Sequence, residues 1–116
     1  MNSTAIVIRH GPGTGLGTRE MLDMALVLAT FDCPVTVILQ DDGVYWSRLP
    51  SFPEGNPLSL SGRLKSLPLY DVGPIIVHSE SCDSRSVITD LGLPSTVLST
   101  SEILDHLSTI DVILEA

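Results

Sequence analysis

Long apolar runs are missing from this chain of 116 residues. No stretch approaches the ~18 consecutive apolar residues of a membrane-spanning helix. The N-terminal segment MNSTAIVIRH has no basic start, and its apolar run is shorter than the ~7 residues that a secretory signal needs. We therefore expect a cytoplasmic protein that is neither exported nor inserted into a membrane.

Basic residues are also few. Six Lys and Arg stand against 14 Asp and Glu, which gives a formal net charge of -8 at pH 7. Such a surface repels a phosphate backbone, so we expect no direct binding of nucleic acid.

Cysteine is scarce as well. Cys33 and Cys82 are the two cysteines of the chain. They are too few for a disulfide framework and lack the spacing of a zinc site, so the sequence predicts free thiols and no metal. We also predict no cofactor.

Apolar residues, in contrast, make up 43% of the chain, and only 17% of the residues are charged. The length suits a single domain over residues 1–116. A domain of this size has little interior in which to bury so much apolar surface. We therefore expect that a partner subunit covers the excess and that the chain is not a lone monomer.

Strand and helix patterns alternate along the sequence. Short runs rich in β-branched residues predict strands, and longer apolar stretches that follow capping residues predict helices. The alternation predicts an open, mainly parallel α/β sheet of about five strands with helices on both faces. The predicted strands are 5–8, 34–40, 74–78, 95–99 and 111–116; the predicted helices are 19–31 after a Thr18 cap, 61–67, 79–92, and 102–110 after a Thr100 or Ser101 cap.

The segment HGPGTGLGTRE, residues 10–20, raises the question of a phosphate-binding loop. Read as G-x-G-x-x-G from Gly13, it has Thr18 where the third glycine belongs, and it lacks the lysine of a Walker loop. Asp41 and Asp42 do stand where a ribose-binding acid would lie. A small flavodoxin-like nucleotide- or flavin-binding protein is therefore the alternative to a plain strand-to-helix connection.

Four segments occur in a characteristic order and spacing: GTREMLDMALVLATF, VILQDDGVYW, LPLYDV and IDVILEA. The most specific features are DGV after the second strand, LYD before the third, and DVIL at the chain end. Together they resemble the TusC or DsrF family of sulfur-relay subunits, within the wider DsrE/DsrF-like fold. The likeness spans nearly the whole chain except residues 48–61, and it implies a flavodoxin-like three-layer domain.

The resemblance also implies an assembly. It suggests a subunit of a three-component TusBCD- or DsrEFH-type complex, in which this chain and its TusB-like and TusD-like relatives form a dimer of heterotrimers. Such complexes pass persulfide sulfur to sulfur-carrier proteins. In the Tus branch the sulfur ends in 2-thiouridine at the tRNA wobble position, and in the Dsr branch it serves sulfur oxidation. Family members are not known as nucleotide binders, which favours a turn at the glycine loop. A homo-oligomer without a relay role is a third hypothesis.

In this family the sulfur-carrying cysteine belongs mainly to the TusD or DsrE relative, at the end of the strand that PIIVH matches. His78 stands at that position here, which favours an accessory subunit that does not itself carry out catalysis. Cys82 is a weak candidate carrier, because a helix N-terminus and a nearby imidazolium favour a thiolate. Glu80 and Asp83 act against it, since nearby negative charge raises the pKa of a thiol.

Other candidate ligands lie near the same sheet edge. Ligands of open α/β sheets bind at the carboxyl ends of the strands, where we expect His10, Asp42 and His78. A zinc site from His10, His78 and Cys82 has no sequence signature and is not predicted. We expect Cys33 to be a packing residue and the single histidine of the last helix, His106, to be solvated.

Two segments are predicted to bind partner subunits. Helix 19–31 is apolar nearly all round, so it should be covered on two sides. The segment DDGVYW should form a turn in which Gly43 takes a positive φ and Asp42 accepts backbone hydrogen bonds. The aromatic residues after it are either interface residues or a cap over the sheet end. The predicted contact residues are Met21, Met24 and Leu28 on the helix, and Asp42, Gly43, Tyr45 and Trp46 in the turn.

Overall fold

Five strands, all parallel to their neighbours, make up the sheet in the part of the chain that the structure describes. The computed structural model describes residues 3–11, 17–48, 72–87 and 95–115. The strands follow the order β4-β3-β2-β1-β5. They are β1 (Thr4–Ile8), β2 (Val35–Leu39), β3 (Ile75–His78), β4 (Ser95–Leu98) and β5 (Val112–Glu115).

The central strands are buried on both faces, which explains their composition. Every residue of β1, β2 and β3 is buried. Continuous runs of Val and Ile are typical of parallel strands covered on both sides, because alternating polar residues would meet an apolar layer. The edge strands β4 and β5 are half-buried or exposed instead, and β4 begins with two polar residues.

Helices lie on both faces of the sheet. The chain forms α1 (Gly17–Thr30), a 3₁₀ helix (Asp41–Arg48), α2 (Ser79–Arg85) and α3 (Thr100–Leu107). One core cluster joins Leu22 of α1, Val44 of the 3₁₀ helix and Cys82 of α2 to one sheet face. A second cluster joins Ile103 of α3 to the opposite face. The predicted three-layer, parallel α/β architecture is thus confirmed.

Some local predictions were wrong. Thr18 lies inside α1 rather than before it. Ser99, not Thr100 or Ser101, caps α3, and it forms a capping box with Glu102. The helix predicted over 79–92 ends as an α-helix at Arg85, after which Ser86 takes a left-handed conformation. Residues 12–16, the helix predicted at 61–67 and the end of the one predicted at 79–92 lie outside the described residues.

The apolar helix α1 has one buried side and one exposed side. Leu22 and Ala25 are fully buried against the sheet, while Met21 and Leu28 are half-buried at its borders. Met24 is 44% exposed. Among the described helices none has the length and apolar character needed to cross a membrane.

The carboxyl edge of the sheet as the candidate functional site

Polar side chains from all five strand ends meet at one edge of the sheet, here called the carboxyl edge. As predicted, His10 follows β1, Asp42 follows β2, and His78 ends β3. The parallel arrangement brings these ends together, since parallel strands finish on the same side.

Gly43 allows the 3₁₀ helix to lie directly against the end of β1. A Cβ on Gly43 would lie 1.9 Å from the carbonyl oxygen of Ile8, so only glycine fits. The expected positive φ at Gly43 was wrong: the left-handed residue is Asp41, with φ 52°. The glycine of the DGV motif is thus required for close backbone approach rather than for a sharp turn.

Trp46 connects the 3₁₀ helix to the loop after β1 through a hydrogen bond. It is buried to 4% exposure in the core cluster of α1, and its indole N–H donates to the carbonyl of His10 at 2.8 Å. Tyr45 is half-buried and packs at the border of the same cluster. The sequence left two interpretations of this pair open, and the burial of Trp46 gives it a packing role. A contact of either residue with a partner stays a prediction.

Asp42 does not bind its own turn in the way the sequence suggested. Its Oδ1 accepts from Arg85 Nε of α2 at 2.9 Å, and this bond raises the pKa of Arg85. The Arg85 side chain of α2 therefore connects the 3₁₀ helix after β2 to the helix after β3.

His78 is buried and is hydrogen-bonded through both ring nitrogens. Its Nδ1 lies 2.5 Å from Ser81 Oγ, and its Nε2 lies 2.6 Å from Thr100 Oγ1. The same Nε2 is 2.6 Å from Glu80 Oε2. Two elements, α2 and the start of α3, thus enclose the imidazole.

Ser81 connects the imidazole to the segment after β2. Its Oγ accepts from the backbone N–H of Asp41 at 2.9 Å and also lies within hydrogen-bond distance of His78 Nδ1. Both ring nitrogens of this buried side chain therefore have hydrogen-bond partners, which reduces the desolvation cost of burying it.

Thr100 completes the group around the imidazole. Its hydroxyl donates to Glu80 Oε2 at 2.9 Å, and its backbone N–H donates to the same oxygen at 2.9 Å. The side-chain bond is the main reason why the pKa of Glu80 is lowered. Glu80 therefore stays a carboxylate that holds the start of α3 against α2.

Ion pairs of Arg9 connect the end of β1 to the ends of β2 and β5. Arg9, after β1, donates to Asp41 Oδ2 at 2.9 Å and to Glu115 Oε1 of β5 at 3.1 Å. The backbone N–H of Asp41 donates in turn to Ser81 Oγ. The resulting chain of hydrogen bonds touches the end of every strand and is here called the edge network. Its members are Glu115, Arg9, Asp41, Ser81, His78 and Thr100.

Cys82 is not presented at this edge as a reactive thiol. It is 6% exposed and belongs to the core cluster on the face of α1. Burial raises the pKa of the Cys82 thiol, Asp83 raises it further, and Arg85 opposes both. Since the thiolate is the form that accepts sulfur, this environment disfavours a carrier role.

The remaining candidates are dispersed. Within the described ranges no group of three His, Cys, Asp or Glu could hold a metal ion. Cys33 is half-buried in the turn before β2, and its Sγ lies 3.8 Å from the carbonyl of Phe31. The expectation that His106 is solvated was wrong, because it is half-buried with Nε2 3.4 Å from Thr36 Oγ1 of the sheet.

Sequence reasoning missed the residues that connect the strand ends, namely Arg9, Ser81 and Thr100. Each looks ordinary in the sequence: a cation after a strand and two hydroxyls near helix starts. Position was the one available signal, because every one of them follows a predicted strand by at most three residues.

Comparison with known proteins gives consistent results over the full length of the chain. The model of the DsrE/DsrF-like family matches residues 2–115. A protein described as a TusC homolog from Pseudomonas aeruginosa is 30% identical over 114 residues, which are 97% of this chain and 96% of that protein. A TusC homolog from Vibrio parahaemolyticus is 29% identical over 109 residues, which are 92% of each chain. The crystal structure of the YchN protein from E. coli has a TM-score of 0.84 with 18% identity over all of both chains, which shows a shared fold.

Proposed function

Because this chain belongs to the DsrE/DsrF-like family, we propose that it is an accessory subunit of a TusBCD- or DsrEFH-type sulfur-transfer complex. In this proposal it supports a cytoplasmic persulfide relay toward 2-thiolation of tRNA wobble uridine, with TusB-like and TusD-like subunits as partners. The similarity to two TusC homologs along more than nine-tenths of the chain supports membership in such a relay.

The state of His78 is the observation that carries the accessory role. At the strand end where the resemblance puts a carrier cysteine in TusD-like relatives, this chain has an imidazole bonded on both nitrogens. The nearby thiol of Cys82 is buried and has a raised pKa. A carrier must expose a thiolate to its donor and acceptor, and this edge offers a closed hydrogen-bonded group instead.

Sulfur loading is the direct test. The assembled complex, with TusB-like and TusD-like subunits from the same genome, is treated with a persulfide donor, and each chain is analysed by intact mass spectrometry. We expect a mass gain of one sulfur atom on the TusD-like chain and none on this chain. Cys82→Ala should leave the rate of sulfur transfer unchanged, with Cys33→Ala as the matched control.

Two results would contradict the proposal. Loss of sulfur transfer on Cys82→Ala, with the complex intact and its melting temperature preserved, would make this chain a carrier. A purified chain that contains bound flavin, or that titrates with a nucleotide at micromolar affinity, would support the nucleotide-binding alternative. The tRNA branch is tested separately by measuring 2-thiouridine in tRNA from a strain that lacks this chain, with and without complementation.

A further inference from the structure

Large apolar side chains lie on the outward side of α1. Met24 is 44% exposed, Val27 is 54% exposed, and Phe31, just after the helix, is 72% exposed. Their spacing of three and four residues puts them on one side of the helix. Leu22 and Ala25, which pack on the sheet, lie on the opposite side with no exposure. Met24, Val27 and Phe31 are here called the α1 outer stripe.

The α1 outer stripe is bordered by negative charge. Glu20, Asp23 and Asp32 are exposed, and Arg19 is the one basic residue among residues 19–34. An apolar centre with a mainly acidic rim is typical of a surface that binds a protein of the opposite charge. The stripe therefore differs from a scatter of single exposed apolar residues, which needs no explanation.

We propose that the α1 outer stripe docks a partner subunit whose surface has an apolar centre and a rim of Lys and Arg. The inference rests on the proposed function, because it takes a different subunit of the complex as the occupant. A second copy of this chain fits poorly, since a twofold contact would bring the same acidic rim against itself on a chain of net charge -8. A basic rim turns this repulsion into attraction and accelerates association.

Serine substitutions test the apolar centre. Val27→Ser and Phe31→Ser remove apolar area that is exposed in this chain, so the melting temperature should stay close to that of the wild type. The dissociation constant of the complex with its partner subunits should rise at least about tenfold for each, as for residues at an interface centre. Val97→Ser is the matched control, because Val97 is 47% exposed but lies on β4, at the sheet edge far from β1.

Neutral substitutions test the rim. Glu20→Gln and Asp32→Asn should each weaken the complex and reduce the dependence of its affinity on ionic strength, since salt screens attraction between exposed charges. Asparagine tolerates the left-handed backbone at position 32, where φ is 59°. Asp105→Asn on α3 is the control, because Asp105 is exposed on the opposite layer and should leave both quantities unchanged.

The outcomes separate the two proposals. If the wild-type chain forms no complex with TusB-like and TusD-like subunits, the proposed function is wrong and this inference fails with it. If the complex forms and survives Val27→Ser and Phe31→Ser as well as it survives Val97→Ser, the inference alone is overturned. If the chain by itself sediments as a dimer that Val27→Ser dissociates, a second copy is the occupant and the basic partner is refuted.

Discussion

Replacing Gly43 by alanine should destabilise the protein more than any other single methyl group added at the carboxyl edge. The new Cβ would lie 1.9 Å from the carbonyl oxygen of Ile8 and 2.7 Å from its carbonyl carbon. Both atoms belong to the backbone of a central strand, so no side-chain rotation can relieve the clash. The 3₁₀ helix and β1 must instead move apart by about 1 Å to reach the shortest separations that real side chains tolerate.

The cost follows from what that movement disturbs. Overpacking of a buried site costs about 1–3 kcal/mol. The movement also stretches the bond from the Gln40 N–H to the Ile8 carbonyl, at 3.0 Å, and the bond from the Trp46 indole to the His10 carbonyl, at 2.8 Å. Each is worth about 1 kcal/mol net. We therefore expect the free energy of unfolding to fall by about 3 kcal/mol or more, a large part of the 5–15 kcal/mol that is typical of small domains.

Urea denaturation followed by tryptophan fluorescence measures this loss, since Trp46 is the single tryptophan of the chain. The midpoint should move to lower urea with an unchanged slope, and the melting temperature should fall by about 12 °C. Gly11→Ala is the matched control: its Cβ would lie 3.1 Å from the carbonyl oxygen of Asp42, a contact that a small shift relieves. A Gly43→Ala protein within about 0.5 kcal/mol of the wild type would refute the close-approach argument, because that is the scatter of neutral surface changes.

Three further predictions concern the same structure. Trp46→Phe should lower the free energy of unfolding by at least about 1 kcal/mol through loss of the bond to His10, and its loss of partner binding should not exceed its loss of stability. Tyr45→Ala tests the more exposed of the two aromatic residues, with the melting temperature and partner binding both measured. Ser99→Ala should lower the free energy of unfolding by about 1 kcal/mol through loss of the capping box. The pKa of Glu102 is lowered by its bonds to Ser99, so the stability from this carboxylate is present above about pH 4.3 and is lost as the pH falls through the lowered value. The variant should therefore lose less stability than the wild type when the pH is lowered, as measured by urea denaturation. Burial raises the pKa of Cys82, so the stability that depends on its neutral thiol is fully present below about pH 8.5 and is lost as the pH rises through the raised value. In urea denaturation as a function of pH, the free energy of unfolding of Cys82→Ala should therefore fall less steeply at alkaline pH than that of the wild type. An unchanged pH profile would contradict the buried thiol.

The sheet could be predicted because its determinants are local. The apolar runs of β1 and β3 are continuous, Thr36 is the one polar residue within β2, and burial on both faces favours this composition. Alternation with helical segments then restricts the sheet to parallel pairing. Helix boundaries differ by a residue or two, and the cap of α3 is Ser99, one residue before the predicted Thr100.

The carboxyl edge could not be predicted in detail because its determinants are long-range. The need for glycine at position 43 comes from Ile8, which lies 35 residues earlier, and the DGV motif alone gives no sign of that contact. Leu104 shares a helical pattern with Ile103 and Leu107, yet it is 60% exposed because the sheet beneath α3 contacts the other two. Helical periodicity identifies a broad apolar side, but the neighbouring layer decides which residues it covers.

The edge network is consistent with the proposed accessory role of this chain. A sulfur carrier needs a side chain that leaves its own packing to meet a donor and then an acceptor, which favours an accessible residue in a low-stability segment. Here the hydrogen bonds of His78 hold β3, α2 and the start of α3 together, and Arg9 connects β1 to β2 and β5. Moving His78 would break bonds in three elements at once and leave buried polar groups unsatisfied, at a cost of about 1–3 kcal/mol each. In the proposed complex, an edge fixed in this way would hold a constant shape against a neighbouring subunit while another chain carries the sulfur.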